Sequence, residues 1–102
     1  MEDVQAVWQE VKAKYPIGLK FSGKVVNVER YGVFVHLGYE IIDGYKLSGL
    51  IDVATFPDLD STGLPREISL WPKIGETVHC KVIAHREFEM EVDLRLTEKG
   101  PR

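Results

Sequence analysis

The sequence predicts an all-β fold, a small closed barrel of five strands preceded by one short helix. Apolar residues recur at helical spacing only before Pro16, and from Leu19 onward they alternate with polar residues at a period of two. Glycine and proline separate the alternating segments. With 102 residues the chain is long enough for a single domain with one small core. These observations favour a barrel built from short strands.

The first predicted element is a helix over residues 3–14. Its apolar stripe at helical spacing consists of Val4, Val7, Trp8 and Val11. Asp3 is suited to cap the start, and Pro16 prevents continuation of the helix. We interpret it as a packing helix with Trp8 in the core. The alternative interpretation is a helix that binds a partner.

The remaining predicted elements are five strands, over residues 19–29, 32–38, 48–54, 76–86 and 89–97. The second strand places Val33, Val35 and Leu37 on one face and Phe34 and His36 on the other. The fourth places Val78, Cys80, Val82 and Ala84 inward and His79, Lys81 and His85 outward. The fifth places Met90, Val92, Leu94 and Leu96 inward and Glu91, Asp93 and Arg95 outward. A ring such as that of Phe34, left in water on the outer face, suits base stacking.

Two long links join the middle strands. The link from Tyr39 to Leu47 is long for a hairpin and contains Asp43 and Gly44. The link over residues 55–75 is rich in breakers, and residues 66–71 within it are predicted to form a turn of helix. Five strands with an irregular third link are typical of the Greek-key oligonucleotide/oligosaccharide-binding (OB) fold, whose ligand face lies on strands two and three.

We divide the chain into a helix and lead-in (1–18), a barrel (19–97) and a tail (98–102). The composition, 44% hydrophobic and 28% charged, is ordinary for a globular protein. No apolar run approaches the ~20 residues of a membrane span, and no signal-peptide pattern opens the chain. A lone cysteine, Cys80, excludes an internal disulfide. We therefore expect a protein of the reducing cytoplasm that does not contact a membrane.

The net charge of −3 argues against an indiscriminate nucleic-acid binder, because such proteins are usually basic. The charge is unevenly distributed. Residues 19–38 contain three basic residues and one acidic residue, a local charge of +2. Residues 39–70 contain two basic and six acidic residues, a local charge of −4. The aromatic strand is thus locally basic, which favours weak or selective binding.

No catalytic or metal-binding set emerges from the sequence. The three histidines and Cys80 do not share metal-ligand spacing, and alternation puts His79 and Cys80 on opposite faces. Cys80 is predicted to be a small core residue. The carboxylates from Glu87 to Asp93 lie on a solvated strand face, and the chain has no glycine-rich phosphate loop. We expect a protein that is not an enzyme and that carries neither cofactor nor metal.

The motifs resemble the S-one (S1) RNA-binding domain, the repeat first described in the largest protein of the bacterial small ribosomal subunit. The matching segments, in order, are residues 23–25, 31–38, 48–52, 74–78, 80–83 and 93–96. The resemblance covers nearly all of residues 15–97. It implies an OB barrel that takes single-stranded RNA across strands two and three.

The resemblance also implies a contact set. Two aromatic residues of the family's site map to Tyr31 and Phe34. A histidine that usually follows the Gly-Leu pair of the family's strand three is replaced by Asp52. The aspartate and arginine of its last hairpin have no clear counterpart in the segment Arg86–Glu91.

The candidate RNA-binding residues are Tyr31, Phe34, His36, Lys24 and Arg30, with Asp52, Lys81 and Arg86 as secondary candidates. The two rings would stack on bases, while Lys24 and Arg30 would meet phosphates. Alternatively, the rings pack on a loop or on the helix, and the charged residues and His36 are merely solvated. Asp52 could accept a hydrogen bond from a base amino group but would repel phosphate, so we favour a non-contact or structural role for it. Lys81 is predicted to be solvated.

We therefore interpret the chain as a non-enzymatic module that holds single-stranded RNA, with the ribosome or RNA-processing proteins as further partners. The alternative is an OB-fold protein-interaction module that has lost RNA binding. The net negative charge of the chain and Asp52 favour this alternative. Tyr31, Phe34 and the local basic charge of residues 19–38 favour RNA binding. Because Phe34 alternates with Val33 and Val35, we expect its ring to face solvent and its removal to affect RNA binding more than folding.

Overall fold

The computed structural model describes residues 3–55 and 71–97. Its elements are α1 (Val4–Lys14), β1 (Lys20–Glu29), β2 (Gly32–Val35), β3 (Gly49–Asp52), a 3-10 helix (Val53–Thr55), β4 (Thr77–Arg86) and β5 (Glu91–Leu96). The strands form a closed barrel in the order β1-β2-β3-β5-β4. β3 and β5 are parallel and the other pairs are antiparallel. The predicted five-stranded barrel with an N-terminal helix is confirmed. The predicted helical turn lies outside the described residues except for Trp71, and the predicted tail lies wholly outside them.

The barrel interior is filled by the inward residues of the strands, as the alternation predicts. Val33, Val35, Val92 and Leu94 are among the most buried side chains. Gly32 permits β2 and β3 to approach closely, because a Cβ atom there would lie 2.5 Å from the carbonyl oxygen of Ile51. This close approach sets the spacing of the two strands that carry the predicted ligand face.

β2 and β3 are shorter than the sequence predicts. β3 ends at Asp52 because its side chain begins a different element: its Oδ1 accepts a hydrogen bond from the Ala54 backbone N–H at 2.9 Å. The following 3-10 helix is tied to the β1–β2 turn, since the Val53 N–H donates to the Tyr31 carbonyl oxygen at 3.0 Å. One carboxylate oxygen of Asp52 is thus used within the fold.

The outward position predicted for His85 and the inward position predicted for Ala84 are both wrong, because Ala84 pairs with the outward Asp93 and His85 with the inward Val92. A β-bulge between Val82 and Ala84 in β4 shifts the pairing by one residue, which changes the face on which the following side chains lie. The His85 ring therefore lies against the helix, edge-on to Trp8 with 6.0 Å between ring centroids. Its Nε2 hydrogen-bonds the carbonyl oxygen of Tyr15 at 2.8 Å.

The helix α1 packs on the barrel through Val7, Trp8 and Val11, all of which are buried. Asp3 caps it as predicted, because its Oδ1 accepts from the Gln5 N–H at 3.0 Å. The described ranges contain no helix with the length and apolar character needed to cross a membrane. The helix is instead a packing element of the barrel, which agrees with the interpretation of its apolar stripe.

The link before β3 makes a tight turn. Ile42 and Tyr45 pair across it, and the two residues between them, Asp43 and Gly44, have φ values of 51° and 82°. Positive φ at both central residues is the signature of a type I′ turn, which Asp-Gly favours. Lys46 directly follows this turn, and its side chain is exposed on the outer face of the barrel.

Candidate nucleic-acid interface

Phe34 lies outside the buried core cluster that contains Val33 and Val35, as expected for the opposite face of β2. The expectation that its ring faces solvent is wrong, because the residue is only 3% exposed. The Tyr31 ring stands edge-on to it with 5.9 Å between centroids. The Lys46 Nζ lies 4.1 Å from its centroid. These neighbours fill the space over a ring that alternation alone would leave in water.

Tyr31 is the accessible ring of the pair. It is 53% exposed and lies in the turn between β1 and β2. Its backbone is held by the bond from Val53, and its ring is held at 89° to that of Phe34. An edge-to-face contact leaves a ring face of Tyr31 open while restricting its rotation. Such a ring is suited to stack on a nucleobase.

Lys46 is a member of this site that the sequence reasoning missed. It lies in the acidic connection between β2 and β3, where its charge was counted but not assigned a role. The Asp43-Gly44 pair could have indicated its position, because a tight turn there determines where the next residues lie on the barrel surface. A lysine ammonium within ~6 Å of an aromatic centroid makes a cation–π contact, and here it adds positive charge beside Tyr31 and Phe34.

The outer face of the barrel next to Phe34 continues from β2 across β3 to β5. Phe34 is the Cα partner of Leu50, and Leu50 is in turn the partner of Asp93. Leu50 is 3% exposed and also lies outside the core cluster, so the middle of this outer face is apolar. Asp93 accepts a hydrogen bond from the Nε of Arg86 at 2.8 Å. The secondary candidate Arg86 is therefore held in an ion pair at the rim.

The carboxylate of Glu91 lies at the same rim. Burial raises its pKa, although the positive charges of Lys46 and Arg86 act in the opposite direction. Desolvation disfavours the charged form of a carboxylate more than these cations favour it. The rim thus combines two cations with the carboxylates of Glu91 and Asp93, which limits its attraction for phosphate.

Three further predicted residues are exposed around the aromatic pair. Arg30 directly precedes Tyr31 in the turn. Lys24 and His36 are neighbours, because the His36 backbone N–H donates to the Lys24 carbonyl oxygen at 2.8 Å. All three side chains are free to contact a ligand that runs along β1 and β2.

Lys81 is not brought together with these residues. It lies on β4, which is paired with β1 and β5 and not with β2 or β3. Its side chain is exposed, as predicted. Any contact between Lys81 and RNA must therefore be made on a different face from that of Tyr31.

Cys80 is fully buried, as predicted for a core residue. Burial raises the pKa of its thiol to about 12, so the thiolate that nucleophilic chemistry needs is not formed near neutral pH. Within residues 3–55 and 71–97, no group of three histidine, cysteine or acidic residues is arranged to hold a metal ion.

Comparisons with known proteins show the family and the fold of the chain. A family model described as S1 RNA binding domain matches residues 14–97. The small ribosomal subunit protein bS1 of Rickettsia typhi is 38% identical over 76 residues, which are 74% of this chain and 12% of that protein. The chain thus spans a small part of the length of this curated relative.

Two solved structures share the fold. The structure of GSP13 from Bacillus subtilis has a TM-score of 0.61 and 24% identity, and the match covers 86% of this chain and 62% of that one. RNase R of Mycoplasma genitalium, in complex with ribose-methylated single-stranded RNA, has a TM-score of 0.62 and 21% identity. That match covers 90% of this chain and 14% of RNase R. At these identities the likeness establishes the barrel architecture.

Proposed function

The chain belongs to the S1 RNA-binding domain family, and we propose that it is a non-enzymatic module that binds single-stranded RNA on the outer face of β2 and β3. The observation that carries the proposal is the half-exposed ring of Tyr31, held edge-on to Phe34 beside the ammonium group of Lys46. An exposed, oriented ring next to a cation matches both parts of a nucleotide, its base and its phosphate.

In this proposal Tyr31 stacks on a base, and Phe34 supports Tyr31 from below. Base–aromatic stacking contributes roughly 1–3 kcal/mol per base. Because Phe34 is buried, its ring provides a fixed surface on which the Tyr31 ring packs and is oriented. Holding the ring in place before binding reduces the conformational entropy that is lost when RNA binds.

The cations around Tyr31 contact the phosphates. Lys24, Arg30 and Lys46 are exposed and carry positive charge, and His36 offers a ring nitrogen to a base or phosphate. Glu91 and Asp93 at the rim oppose this attraction. Binding is therefore weak and depends on single-stranded RNA, because a duplex would not expose its bases to Tyr31.

Fluorescence anisotropy with short labelled RNAs of several sequences tests the proposal. We expect binding at low salt, and little binding to duplex DNA of the same length. The affinity falls with salt at a slope of roughly 0.7 per phosphate contact, so a few contacts give a shallow dependence. Absence of RNA binding at low salt across all sequences would refute the proposal.

A protein-interaction module is the second candidate function. The observation that favours it is Phe88, which lies 93% exposed in the turn between β4 and β5. Exposed aromatic side chains are common anchors of protein interfaces. The relative from Rickettsia is a protein of the small ribosomal subunit, so we propose the ribosome or an RNA-processing protein as the partner to test first.

A further inference from the structure

We propose a second RNA contact on the outer surface of β1, β4 and β5, a row of three cations that holds the phosphodiester backbone of a longer RNA. The row consists of Lys20 on β1, Lys81 on β4 and Arg95 on β5. This proposal rests on the proposed function, since it concerns the path of the same RNA beyond the aromatic face.

The strand register brings the three residues side by side. Lys20 is the Cα partner of Lys81, and Lys81 is the partner of Arg95. All three side chains are exposed. Neighbouring strands lie 4.7–4.9 Å apart, so the three Cα positions span roughly 10 Å across the sheet. The three long basic side chains therefore lie next to one another on the outer surface of the sheet.

The described surroundings of the row are mostly polar, and the Asp93 carboxylate on the same face of β5 is paired with Arg86. The outward positions of these strand segments are Lys20, Ser22 and Lys24 on β1, Thr77, His79, Lys81 and Ile83 on β4, and Arg95 and Thr97 at the end of β5. Ser22 Oγ and His79 Nδ1 are hydrogen-bonded at 2.8 Å beside the row. In a chain with a net charge of −3, this concentration of positive charge is local to one surface.

The row also disfavours folding. Like charges directly opposite one another on paired strands repel and destabilise a sheet. The register places two such pairs next to each other, Lys20 with Lys81 and Lys81 with Arg95. A bound polyanion would offset the repulsion of all three side chains at once.

The row is continuous with the candidate interface through Lys24. The Lys24 carbonyl oxygen accepts from the His36 N–H on one side, and Lys24 pairs with Thr77 of β4 on the other. Lys20 and Lys24 lie on the same face of β1, four residues apart, which is roughly 13 Å along a strand. An RNA strand that leaves Tyr31 past His36 and Lys24 therefore meets the row next.

RNA is a better match than an acidic protein for this surface. Protein interfaces are centred on buried aromatic or apolar anchors. The outward neighbours of the row on β1, β4 and β5 are Ser22, His79, Ile83 and Thr97, of which only Ile83 is apolar and none is aromatic apart from the His79 imidazole. A phosphodiester backbone needs only the charges and hydrogen-bond donors that these residues supply.

The test compares a short and a long RNA on the native chain and on the variant Lys20→Thr/Lys81→Thr/Arg95→Thr. Threonine suits exposed strand positions, so the fold is expected to be retained. OB folds cover about 4–16 nucleotides, and we choose RNAs of about 5 and about 15 nucleotides. We expect the variant to bind the short RNA within about twofold of the native chain. The long RNA should bind roughly tenfold or more weakly at low salt, with a salt slope smaller by about 2.

A charge-matched control distinguishes position from total charge. The variant Lys12→Gln/Lys14→Gln/Lys73→Gln removes three cations from α1 and from the segment before β4, away from the row. An equal loss of long-RNA affinity in this control would overturn the proposal. Should the threonine variant not fold in a urea melt, the single change Lys81→Thr is tested instead, with an expected decrease in slope of about 0.7.

The outcomes separate the two proposals. RNA binding by the native chain that is unchanged in the threonine variant would overturn the second contact and leave the proposed function intact. Absence of RNA binding by the native chain would overturn both. Poly-glutamate is the probe for an acidic protein partner. If the native chain binds it, and the threonine variant loses that binding while its RNA affinity is unchanged, the second RNA contact is overturned and the row is assigned to an acidic protein.

Discussion

The ammonium group of Lys46 lies 4.1 Å from the centre of the Phe34 ring. A residue from the connection before β3 therefore covers the ring in the middle of β2, and Phe34 is only 3% exposed. A base cannot stack on Phe34 unless Lys46 moves, whereas Tyr31 is accessible without any rearrangement. This relationship distinguishes two aromatic residues that look equivalent in the sequence, because one ring is covered and the other is exposed.

Tyr31→Ala is expected to weaken RNA binding more than folding. Losing one stacked base costs about 1–3 kcal/mol of binding, which is roughly 5- to 150-fold in affinity. The loss of its edge contact with Phe34 costs about 0.5–1.5 kcal/mol of stability. Anisotropy titrations and urea melts measure the two effects. The matched control is Phe88→Ala, which removes another exposed ring and should leave RNA affinity unchanged; an equal effect in both would contradict the role of Tyr31.

Phe34→Ala is expected to lower stability by about 3–5 kcal/mol, as for other buried phenylalanines. This reverses the expectation drawn from alternation, because the ring is covered rather than exposed. Phe34→Leu retains apolar volume and should fold, while it removes the ring against which Tyr31 is oriented. We expect Phe34→Leu to weaken RNA binding less than Tyr31→Ala does. A larger loss than in Tyr31→Ala would show that Phe34 itself carries the stacking.

Lys46→Gln is expected to weaken RNA binding and to reduce the salt slope by about 0.7, because one phosphate contact is lost. Lys46→Arg keeps the charge and the cation–π contact and serves as the control. Titrations at several salt concentrations distinguish the two variants. An unchanged slope in Lys46→Gln would mean that Lys46 only covers Phe34.

Glu91→Gln is expected to stabilise the protein at neutral pH. Burial raises the pKa of Glu91, so the folded state binds its proton more tightly than the unfolded state does. The native chain therefore gains stability as the pH falls from neutral through this raised pKa, and the neutral amide variant lacks that gain. Urea melts over this pH range test the sign. The variant also removes a negative charge near Lys46, so RNA affinity should increase.

Glu87 joins the β4–β5 turn to the helix, and its contribution to stability should disappear in acid. The hydrogen bond from Trp8 Nε1, at 2.9 Å, and the contacts with Lys12 lower the pKa of its carboxyl. Its stabilisation is therefore complete above the ordinary glutamate pKa and is lost as the pH falls through the lowered pKa of the folded state. Native and Glu87→Gln chains should differ in urea midpoint at neutral pH and converge in acid. A difference that persists in acid would contradict this account.

The barrel, the helix and most of the inward residues could be predicted from local sequence patterns alone. Alternation at a period of two follows from strand geometry, so Val33, Val35, Val92 and Leu94 could be placed in the core without knowledge of their neighbours. The cap at Asp3 and the position of Tyr31 in a turn likewise depend on local sequence. These properties are encoded within a few consecutive residues.

The neighbours that cover the outer face, and the charges that meet there, depend on the tertiary structure. Phe34 is buried beneath Tyr31 and Lys46, which lie in other segments, and alternation cannot report such neighbours. The bulge in β4 turned His85 toward the helix. The register of three strands aligned Lys20 with Lys81 and Arg95. The physical reason is that the side on which a residue emerges is a local property, whereas its neighbours there depend on loop paths and strand register across the whole chain.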